Sequence, residues 1–337
     1  TRDALDDVEA AIAAGVDPVA WDATGASREV DGAIRRYRQQ LVAAVDAAAI
    51  ADADLTVAID PGHGGGALAS PAIFRELGCR VLTLNAQPDG RFPGRDPEPV
   101  ETTLGDLQRL VRTSDADLGV AHDGDADRAI FVDETGELIP GGVALAALTD
   151  ATVAAGDVVV SAVNVTQRLV DVVEAAGASL ELTRIGSTYL ITAIREQLAA
   201  GERVPIAGEN NGGVLFPDYR VARDGAYTAA RFCELLTDAP ASEVVAPYDG
   251  YATLRRDVPY ADEADREAML EAVAAAAADT DAERDETDGI RLDYGDAWVL
   301  ARPSGTEPVV RVYAEARDPD RAETLADWLA DVARDAV

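Results

Sequence analysis

The sequence has 337 residues, of which 62 are acidic and 29 are basic, and its formal net charge at pH 7 is -33. A surface this negative repels phosphate backbones, which excludes a non-specific nucleic-acid partner. Because 48% of the residues are hydrophobic, the chain can bury substantial cores, and global disorder is excluded. No stretch approaches the roughly 18 consecutive apolar residues of a membrane span, so we expect a cytoplasmic protein, monomeric or homodimeric, with no membrane partner.

The acidic residues are spread along the whole chain and are not gathered in one tail. Every basic residue is arginine, and Asp outnumbers Glu by 40 to 22. This composition is typical of halophilic proteins, so we favour adaptation to high salt over an acidic face for a basic partner. The two cysteines are too few for a disulfide scaffold, and their apolar surroundings predict core positions.

The chain begins with two predicted helices, over residues 3–14 and 29–48, which suit the end of a larger domain. Strands that alternate with helices then follow, beginning with a strand over 55–60, and this rhythm indicates a mostly parallel sheet covered on both faces. After residue 245 the order changes to that of an α+β unit with a long helix over 263–279. We therefore predict two consecutive α/β domains with mostly parallel mixed sheets, followed by a smaller α+β C-terminal domain. The predicted domain boundaries are 1–48, 49–143, 144–245 and 246–337.

A glycine-rich turn, DPGHGGGA at 60–67, follows the first predicted strand. Gly62, Gly64 and Ala67 fit the dinucleotide fingerprint, which gives a nucleotide-binding oxidoreductase as one hypothesis. That fingerprint also requires an acidic residue near the end of the second strand, where Asn85 stands. We therefore favour a tight turn that needs glycine, with its histidine as an ordinary turn residue.

The segment HDGDADR at 122–128 places Asp123, Asp125 and Asp127 at alternate positions. Carboxylates this close repel one another unless a cation neutralises them, and hard oxygen ligands suit Mg²⁺ or Ca²⁺. An EF-hand is excluded, because Arg128 stands where its sharp turn requires Gly and because strands are predicted on both sides. The apolar strands favour a divalent-metal loop over a solvated acidic loop.

A third motif, GENNGG at 208–213, follows another predicted strand. Glu209 and Asn211, between flexible glycines, can bind the paired hydroxyls of a sugar. A plain turn explains the same letters equally well when the motif is taken alone.

The fourth motif is RPSGTEP at 302–308, between two predicted strands. Arg302 offers a bidentate fork to a phosphate, and Ser304 and Thr306 offer hydroxyls. The turn at Gly305 can direct backbone N–H groups at one anion. No helical or strand period explains the string, so it predicts a phosphate-binding loop.

Together and in this order, the four motifs resemble those of the α-D-phosphohexomutase superfamily, which includes phosphoglucomutase, phosphomannomutase and phosphoglucosamine mutase. The resemblance covers nearly all of the chain, and the loop NAQPDGRFPGRDPEP resembles the archaeal branch. It implies a four-domain protein and an isomerase reaction. A phosphoserine and a bisphosphate intermediate would carry the phosphoryl group between the C1 and C6 oxygens of a hexose phosphate.

The resemblance also implies a role for each matching residue. The three aspartates would hold Mg²⁺, and Arg128 would lie near the reacting phosphate. Glu209 would bind the sugar, with Asn211 where the family often has Ser. The loop that anchors the non-reacting phosphate would consist of Arg302, Ser304, Gly305 and Thr306.

Two parts of the family pattern are missing from the sequence. The family carries its phosphoserine in a first-domain loop resembling T-A-S-H-N-P, and no Ser-His-Asn occurs here. We therefore expect this chain by itself to lack the phosphoryl donor and to be inactive. In RIGST, at 184–188, Ser187 replaces the charged residue of a substrate-contacting loop, so no role is assigned there. The general acid/base is not assigned either.

Two classes of function are compatible with these motifs. One is a phosphohexomutase of the phosphomannomutase/phosphoglucomutase type, with phosphoglucosamine mutase as the alternative within the family. The other is a non-catalytic protein that binds sugar phosphates. Both would bind hexose phosphates, and the letters GENNGG do not identify the sugar.

Overall fold

Three five-stranded β-sheets follow one another along the chain. They are seen in a computed structural model that describes residues 2–305 and 307–337. The first two sheets mix parallel and antiparallel pairs, whereas the third is antiparallel throughout. This order confirms the predicted fold class. None of the helices in the described ranges is long and apolar enough to cross a bilayer.

The first sheet is preceded by three helices. The helices of this part are α1 (Arg2–Ala14), α2 (Ala33–Val42), α3 (Ala47–Asp52), α4 (Ser70–Glu76) and α5 (Gly105–Arg112). The strands are β1 (Thr56–Asp60), β2 (Arg80–Thr83), β3 (Leu118–Ala121), β4 (Ile130–Asp133) and β5 (Leu138–Ile139). Their order in the sheet is β2-β1-β3-β4-β5, and β1 is buried along its whole length, as its apolar sequence predicts. The single helix predicted over 29–48 is wrong, because α2 ends at Val42 and α3 begins at Ala47. The residue before α3, Asp46, caps it by accepting a hydrogen bond from the Ala49 N–H at 3.0 Å.

The second sheet has the order β10-β9-β8-β6-β7. Its strands are β6 (Val158–Ala162), β7 (Ser179–Thr183), β8 (Ala207–Gly208), β9 (Val214–Phe216) and β10 (Arg220–Arg223). Its helices are α6 (Gly141–Asp150), α7 (Gln167–Ala176), α8 (Ser187–Ala200), α9 (Gly225–Leu235) and α10 (Ala241–Val245).

The third sheet has the order β11-β15-β14-β13-β12, with two helices packed on it. Its strands are β11 (Ala252–Pro259), β12 (Glu283–Asp285), β13 (Ile290–Asp293), β14 (Ala297–Pro303) and β15 (Val309–Ala316). The helices are α11 (Glu263–Ala278) and α12 (Pro319–Arg334).

Helix α6 lies between the first two sheets and is buried from Gly141 to Thr149. It contacts β4 of the first sheet and also α7, α9 and α10. One apolar core therefore extends through both α/β units, from Leu41 to Val245. The boundary predicted between residues 143 and 144 falls inside this helix.

A buried carboxylate joins the third sheet to the second. Glu315 of β15 is fully buried and accepts hydrogen bonds from the Thr166 hydroxyl, at 2.9 Å, and from the Gln167 backbone N–H, at 2.5 Å. NH1 of Arg168 lies 3.1 Å from the same carboxylate. Because a buried charge needs partners of this kind, the start of α7 holds the C-terminal sheet in a defined position.

Candidate active site

The loop between β3 and β4 brings three aspartates together. Carboxylate oxygens of Asp123, Asp125 and Asp127 lie within 4.8 Å of one another. Asp123 is buried, whereas Asp125 is exposed. The loop joins two strands, which confirms that it is not an EF-hand.

Arg128 neutralises part of this negative charge. Its backbone N–H donates to Oδ1 of Asp123 at 3.1 Å, and its Nε lies 3.3 Å from Oδ2 of the same residue. The Nε is also 3.7 Å from Oδ1 of Asp127, and NH1 lies 3.4 Å from the Glu98 carboxylate. The guanidinium therefore lies beside the carboxylates of the loop.

Asp127 shows that the loop suits a cation. Its Oδ1 is buried and makes no hydrogen bond to any residue that the structure describes. Burial raises the pKa of Asp127; Arg223 opposes this shift, and the charges of Asp123 and Asp125 reinforce it. A divalent cation would bind this oxygen and favour the ionised carboxylates, and hard oxygen donors suit Mg²⁺. The residues present therefore fit the metal.

The glycine-rich turn at 60–67 packs against this loop. The Gly65 N–H donates to the Gly124 carbonyl oxygen at 2.9 Å, and a Cβ atom at Gly64 would lie 2.4 Å from the same oxygen. This close approach of two backbones accounts for Gly64, and Gly62 has φ of 55° with the Arg95 guanidinium 2.7 Å from the position of an added Cβ atom. His63 is a turn residue, with φ of 62° and its Nδ1 2.8 Å from a backbone carbonyl oxygen.

A buried histidine supports the loop from the inside. His122 is fully buried; its Nδ1 lies 2.8 Å from the Arg128 carbonyl oxygen and its Nε2 lies 2.9 Å from the Ser70 hydroxyl. A carbonyl oxygen only accepts, so Nδ1 carries the proton and the hydroxyl donates to Nε2. Burial lowers the pKa of His122, in agreement with a neutral ring that connects α4 to the loop.

A buried ion pair, which the sequence did not predict, lies at the base of the same loop. Nε of Arg95 is 2.8 Å from Oδ2 of Asp60, and the two side chains are 4% and 1% exposed. NH2 of Arg95 donates to the His122 carbonyl oxygen at 2.6 Å. The Arg95 guanidinium thus holds the end of β1 and the start of the predicted metal loop, residues 122–128, together.

The predicted sugar loop lies between β8 and β9. Glu209 is buried, and its Oε1 accepts a hydrogen bond from the Gly186 N–H at 3.1 Å. Asn211 is exposed, and its side-chain oxygen accepts from the Gly213 N–H at 3.0 Å, which closes the turn. Gly186 belongs to the segment RIGST, to which no role was assigned from the sequence.

The predicted phosphate loop connects β14 to β15. Nε of Arg302 lies 2.9 Å from Oδ2 of Asp288, and the Ser304 hydroxyl accepts from the Glu307 N–H at 3.2 Å. Among the residues that the structure describes, and apart from the chain neighbours of Gly305, none lies within 4 Å of a Cβ atom added at Gly305, so a ligand can approach the backbone there. Thr306 lies outside the described residues.

Arg223, the last residue of β10, joins the metal loop to the sugar loop. Its NH2 lies 2.5 Å from Oδ2 of Asp127, and its NH1 lies 3.3 Å from Oε2 of Glu209. The structure therefore brings a predicted metal ligand and a predicted sugar ligand onto one guanidinium.

Asp288 makes the corresponding connection to the phosphate loop. Its Oδ2 pairs with Arg302 and also accepts a hydrogen bond from the Ile185 N–H at 3.1 Å. Sequence reasoning missed both connecting residues, because nothing in their local sequence distinguishes Arg223 or Asp288 among 29 arginines and 40 aspartates.

Three family models match consecutive parts of the chain. They are described as phosphoglucomutase/phosphomannomutase α/β/α domain II, at residues 35–136, α/β/α domain III, at 141–251, and the C-terminal domain, at 257–332. Among curated proteins, a phosphoglucomutase/phosphomannomutase of Thermococcus kodakarensis is 37% identical over 90% of this chain and 65% of its own length. A probable phosphoglucosamine mutase of Methanopyrus kandleri is 37% identical over 93% of the chain and 68% of its length. The chain thus spans about two thirds of these relatives.

Solved structures show the same fold. A phosphoglucomutase/phosphomannomutase family protein of Burkholderia thailandensis has a TM-score of 0.79 and 25% identity, covering 93% of this chain and 66% of that one. An N-acetylphosphoglucosamine mutase of Aspergillus fumigatus, solved with GlcNAc-6P and magnesium, has a TM-score of 0.61 and 18% identity. That alignment covers 93% of this chain and 68% of the other.

Proposed function

This chain belongs to the phosphoglucomutase/phosphomannomutase family, and on that premise we propose that it binds the metal, sugar and phosphate groups for a phosphohexomutase reaction. The reaction interconverts a hexose 1-phosphate and a hexose 6-phosphate. The observation that carries the proposal is the connection of three separate loops. Arg223 links Asp127 to Glu209, and Asp288 links the segment that contacts Glu209 to Arg302.

At the metal loop, Asp123, Asp125 and Asp127 would hold Mg²⁺, and the bound ion would offset negative charge on the phosphoryl group. Arg128 lies beside these carboxylates and donates hydrogen bonds to the phosphoryl oxygens. Its rigid pairing with Asp123 orients the guanidinium before the substrate arrives.

At the other loops, Glu209 accepts hydrogen bonds from sugar hydroxyls, and the exposed amide of Asn211 adds a donor. The phosphate that is not reacting is held at the loop after β14 by Arg302, Ser304, Gly305 and Thr306. Because this chain has no lysine, only arginine and histidine side chains can supply a positive charge for phosphate binding.

The sequence contains no Ser-His-Asn, the tripeptide whose serine is the phosphoryl donor in the resembling family loop. We expect the 337 residues by themselves to bind Mg²⁺ and hexose phosphates without turnover. The name of the M. kandleri relative favours phosphoglucosamine mutase as a second candidate. Assays of the parent gene product with glucose, mannose and glucosamine 1-phosphates decide between the sugars. Turnover with none of them favours a non-catalytic binding protein.

The metal assignment is tested by calorimetric titration with MgCl₂. Asp125→Asn is expected to weaken Mg²⁺ binding about 10-fold or more, because it removes one of three charged ligands. The matched control is Asp115→Asn, an exposed aspartate outside the loop, which leaves the affinity unchanged. Equal Mg²⁺ affinity in Asp125→Asn and the wild type would refute the assignment.

The phosphate assignment is tested with glucose 6-phosphate, mannose 6-phosphate and glucosamine 6-phosphate. Arg302→Met is expected to weaken binding of the preferred ligand about 10-fold or more, because a bidentate charge-assisted contact is lost. Arg195→Met, at an exposed arginine of α8, is the control. If both variants bind like the wild type, the loop after β14 is not the phosphate site.

A further inference from the structure

Arg223 occupies a position that neither its sequence context nor the roles proposed above explain. It ends an irregular strand pair, since the register between β9 and β10 shifts between Arg220 and Arg223. Its side chain is 16% exposed and faces two carboxylates, Asp127 and Glu209, which are 24% and 6% exposed. One largely buried cation is thus shared by two acidic groups from two different loops.

The sugar loop packs closely against this side chain. A Cβ atom at Gly213 would lie 2.6 Å from Cδ of Arg223, so a larger residue there would displace the arginine side chain. The Asn211 side chain closes the turn by accepting from the Gly213 N–H. The Arg223 side chain is therefore positioned by the backbone at Gly213 and by its ion pairs with Asp127 and Glu209.

The two ion pairs have opposite consequences for ligand binding. The positive charge 2.5 Å from Oδ2 of Asp127 competes with any cation that uses this carboxylate. The contact with Glu209 instead orients a carboxylate whose other oxygen is held by the Gly186 N–H. Arg223 thus opposes the metal and supports the sugar.

We propose that Arg223 is a positioning residue that holds Glu209 for recognition of the sugar and does so at the expense of cation affinity at Asp127. This inference rests on the proposed function, since it takes Glu209 to be a sugar ligand. When Asp127 binds a cation, the Arg223 guanidinium pairs with Glu209 alone. Cation binding at the metal loop is thereby coupled to sugar binding at the sugar loop.

The test is calorimetry on the full chain with three variants. MgCl₂ is titrated without sugar, and glucose 6-phosphate and glucosamine 6-phosphate are titrated at saturating MgCl₂. Arg223→Met is expected to bind Mg²⁺ about 5-fold more tightly, because the competing charge is removed. It is expected to bind the hexose 6-phosphate about 10-fold more weakly, because Glu209 loses its partner.

Two further variants separate positioning from damage to the fold. Arg223→Lys keeps the charge but cannot reach both carboxylates as a fork does, so Mg²⁺ affinity stays within about 2-fold while the sugar affinity falls. Arg203→Met is the matched control, because Arg203 also bridges two carboxylates, those of Asp157 and Asp218, away from the three loops. It is expected to change neither affinity.

The opposite changes in Mg²⁺ affinity and hexose 6-phosphate affinity are decisive, since local disorder would weaken the binding of both ligands. If Arg223→Met weakens Mg²⁺ and hexose phosphate alike, or changes neither, the inference is wrong and the proposed function stands. If the wild type binds Mg²⁺ but none of the hexose phosphates, the proposed function fails, and this inference fails with it.

Discussion

Arg95 shows how one residue supports the metal loop without contacting a ligand. Its Nε pairs with Asp60, and its NH2 donates to the His122 carbonyl oxygen. Its NH1 donates to the carbonyl oxygens of Asp96 and Pro97 in its own loop. The guanidinium thus donates hydrogen bonds to oxygens of three chain segments, which a lysine ammonium could not do in this planar geometry. The segment around it is rich in Pro and Gly, so its sequence predicts an exposed loop and gives no sign of a buried charge.

Arg95→Met is expected to lower the free energy of unfolding by about 3–5 kcal/mol, because Asp60 is left as a buried charge without its partner. Urea unfolding followed by circular dichroism measures the loss. Arg109→Met is the control, since Arg109 pairs with Asp106 on an exposed surface and its removal costs about 1 kcal/mol or less. Similar losses in both variants would show that the Asp60 pair contributes no more than a surface pair.

At the scale of elements, long helices and apolar strands such as β1 were predicted well, whereas a helix without a polar face and two short strands were not. The helix at 3–14 and the long helix at 263–279 agree with α1 and α11 within a residue. Helix α6 was missed, because it is buried on all sides and its sequence GGVALAALTD has no polar face. The short strands β9 and β10 were also missed, since three or four residues are too few to show a period of two.

The glycine-rich turn and the metal loop act as one packed unit, which gives a second prediction. A Cβ atom at Gly64 would lie 2.4 Å from the Gly124 oxygen, so Gly64→Ala must displace the metal loop. We expect a loss of about 1–3 kcal/mol in the free energy of unfolding, as for an overpacked site, together with weaker Mg²⁺ binding.

Gly90→Ala is the matched control, because no atom of the described residues, apart from its two chain neighbours, lies within 4 Å of the added Cβ. It is expected to retain the stability and the Mg²⁺ affinity of the wild type. Normal Mg²⁺ affinity in Gly64→Ala would show that the turn does not position the carboxylates.

At the scale of the whole molecule, charge repulsion and the burial of apolar side chains have opposite effects on the stability of the folded state. The first two sheets share one apolar core through α6, and the third has a separate core under α11 and α12. A net charge of -33 opposes this compaction through self-repulsion. Some of the aspartates are used locally, since Asp224, Asp262 and Asp318 accept hydrogen bonds from backbone N–H groups at the starts of α9, α11 and α12. Exposed aspartates contribute to the repulsion that salt can screen.

The thermal unfolding midpoint is therefore expected to rise between 0.01 M and 1 M KCl by several degrees or more. Most of the rise should come at low salt, because the Debye length falls from about 30 Å to about 3 Å over this range. NaCl at equal ionic strength should give the same curve. A midpoint that stays constant or falls with salt would contradict an adaptation of this surface to high salt.

Fold class, family membership and the four motifs follow from the amino-acid sequence, because they depend on local periodicity and on residue types at short spacing. The connections between the loops are visible only in the folded chain, where Arg223 lies between Asp127 and Glu209 and Asp288 lies between Ile185 and Arg302. Arg223 is far from Asp127 along the chain, as Asp288 is from Ile185, and the sequence around Arg223 and Asp288 is ordinary for a chain rich in Arg and Asp. Their roles arise from burial, since a charged group withdrawn from water must find partners wherever the fold brings them.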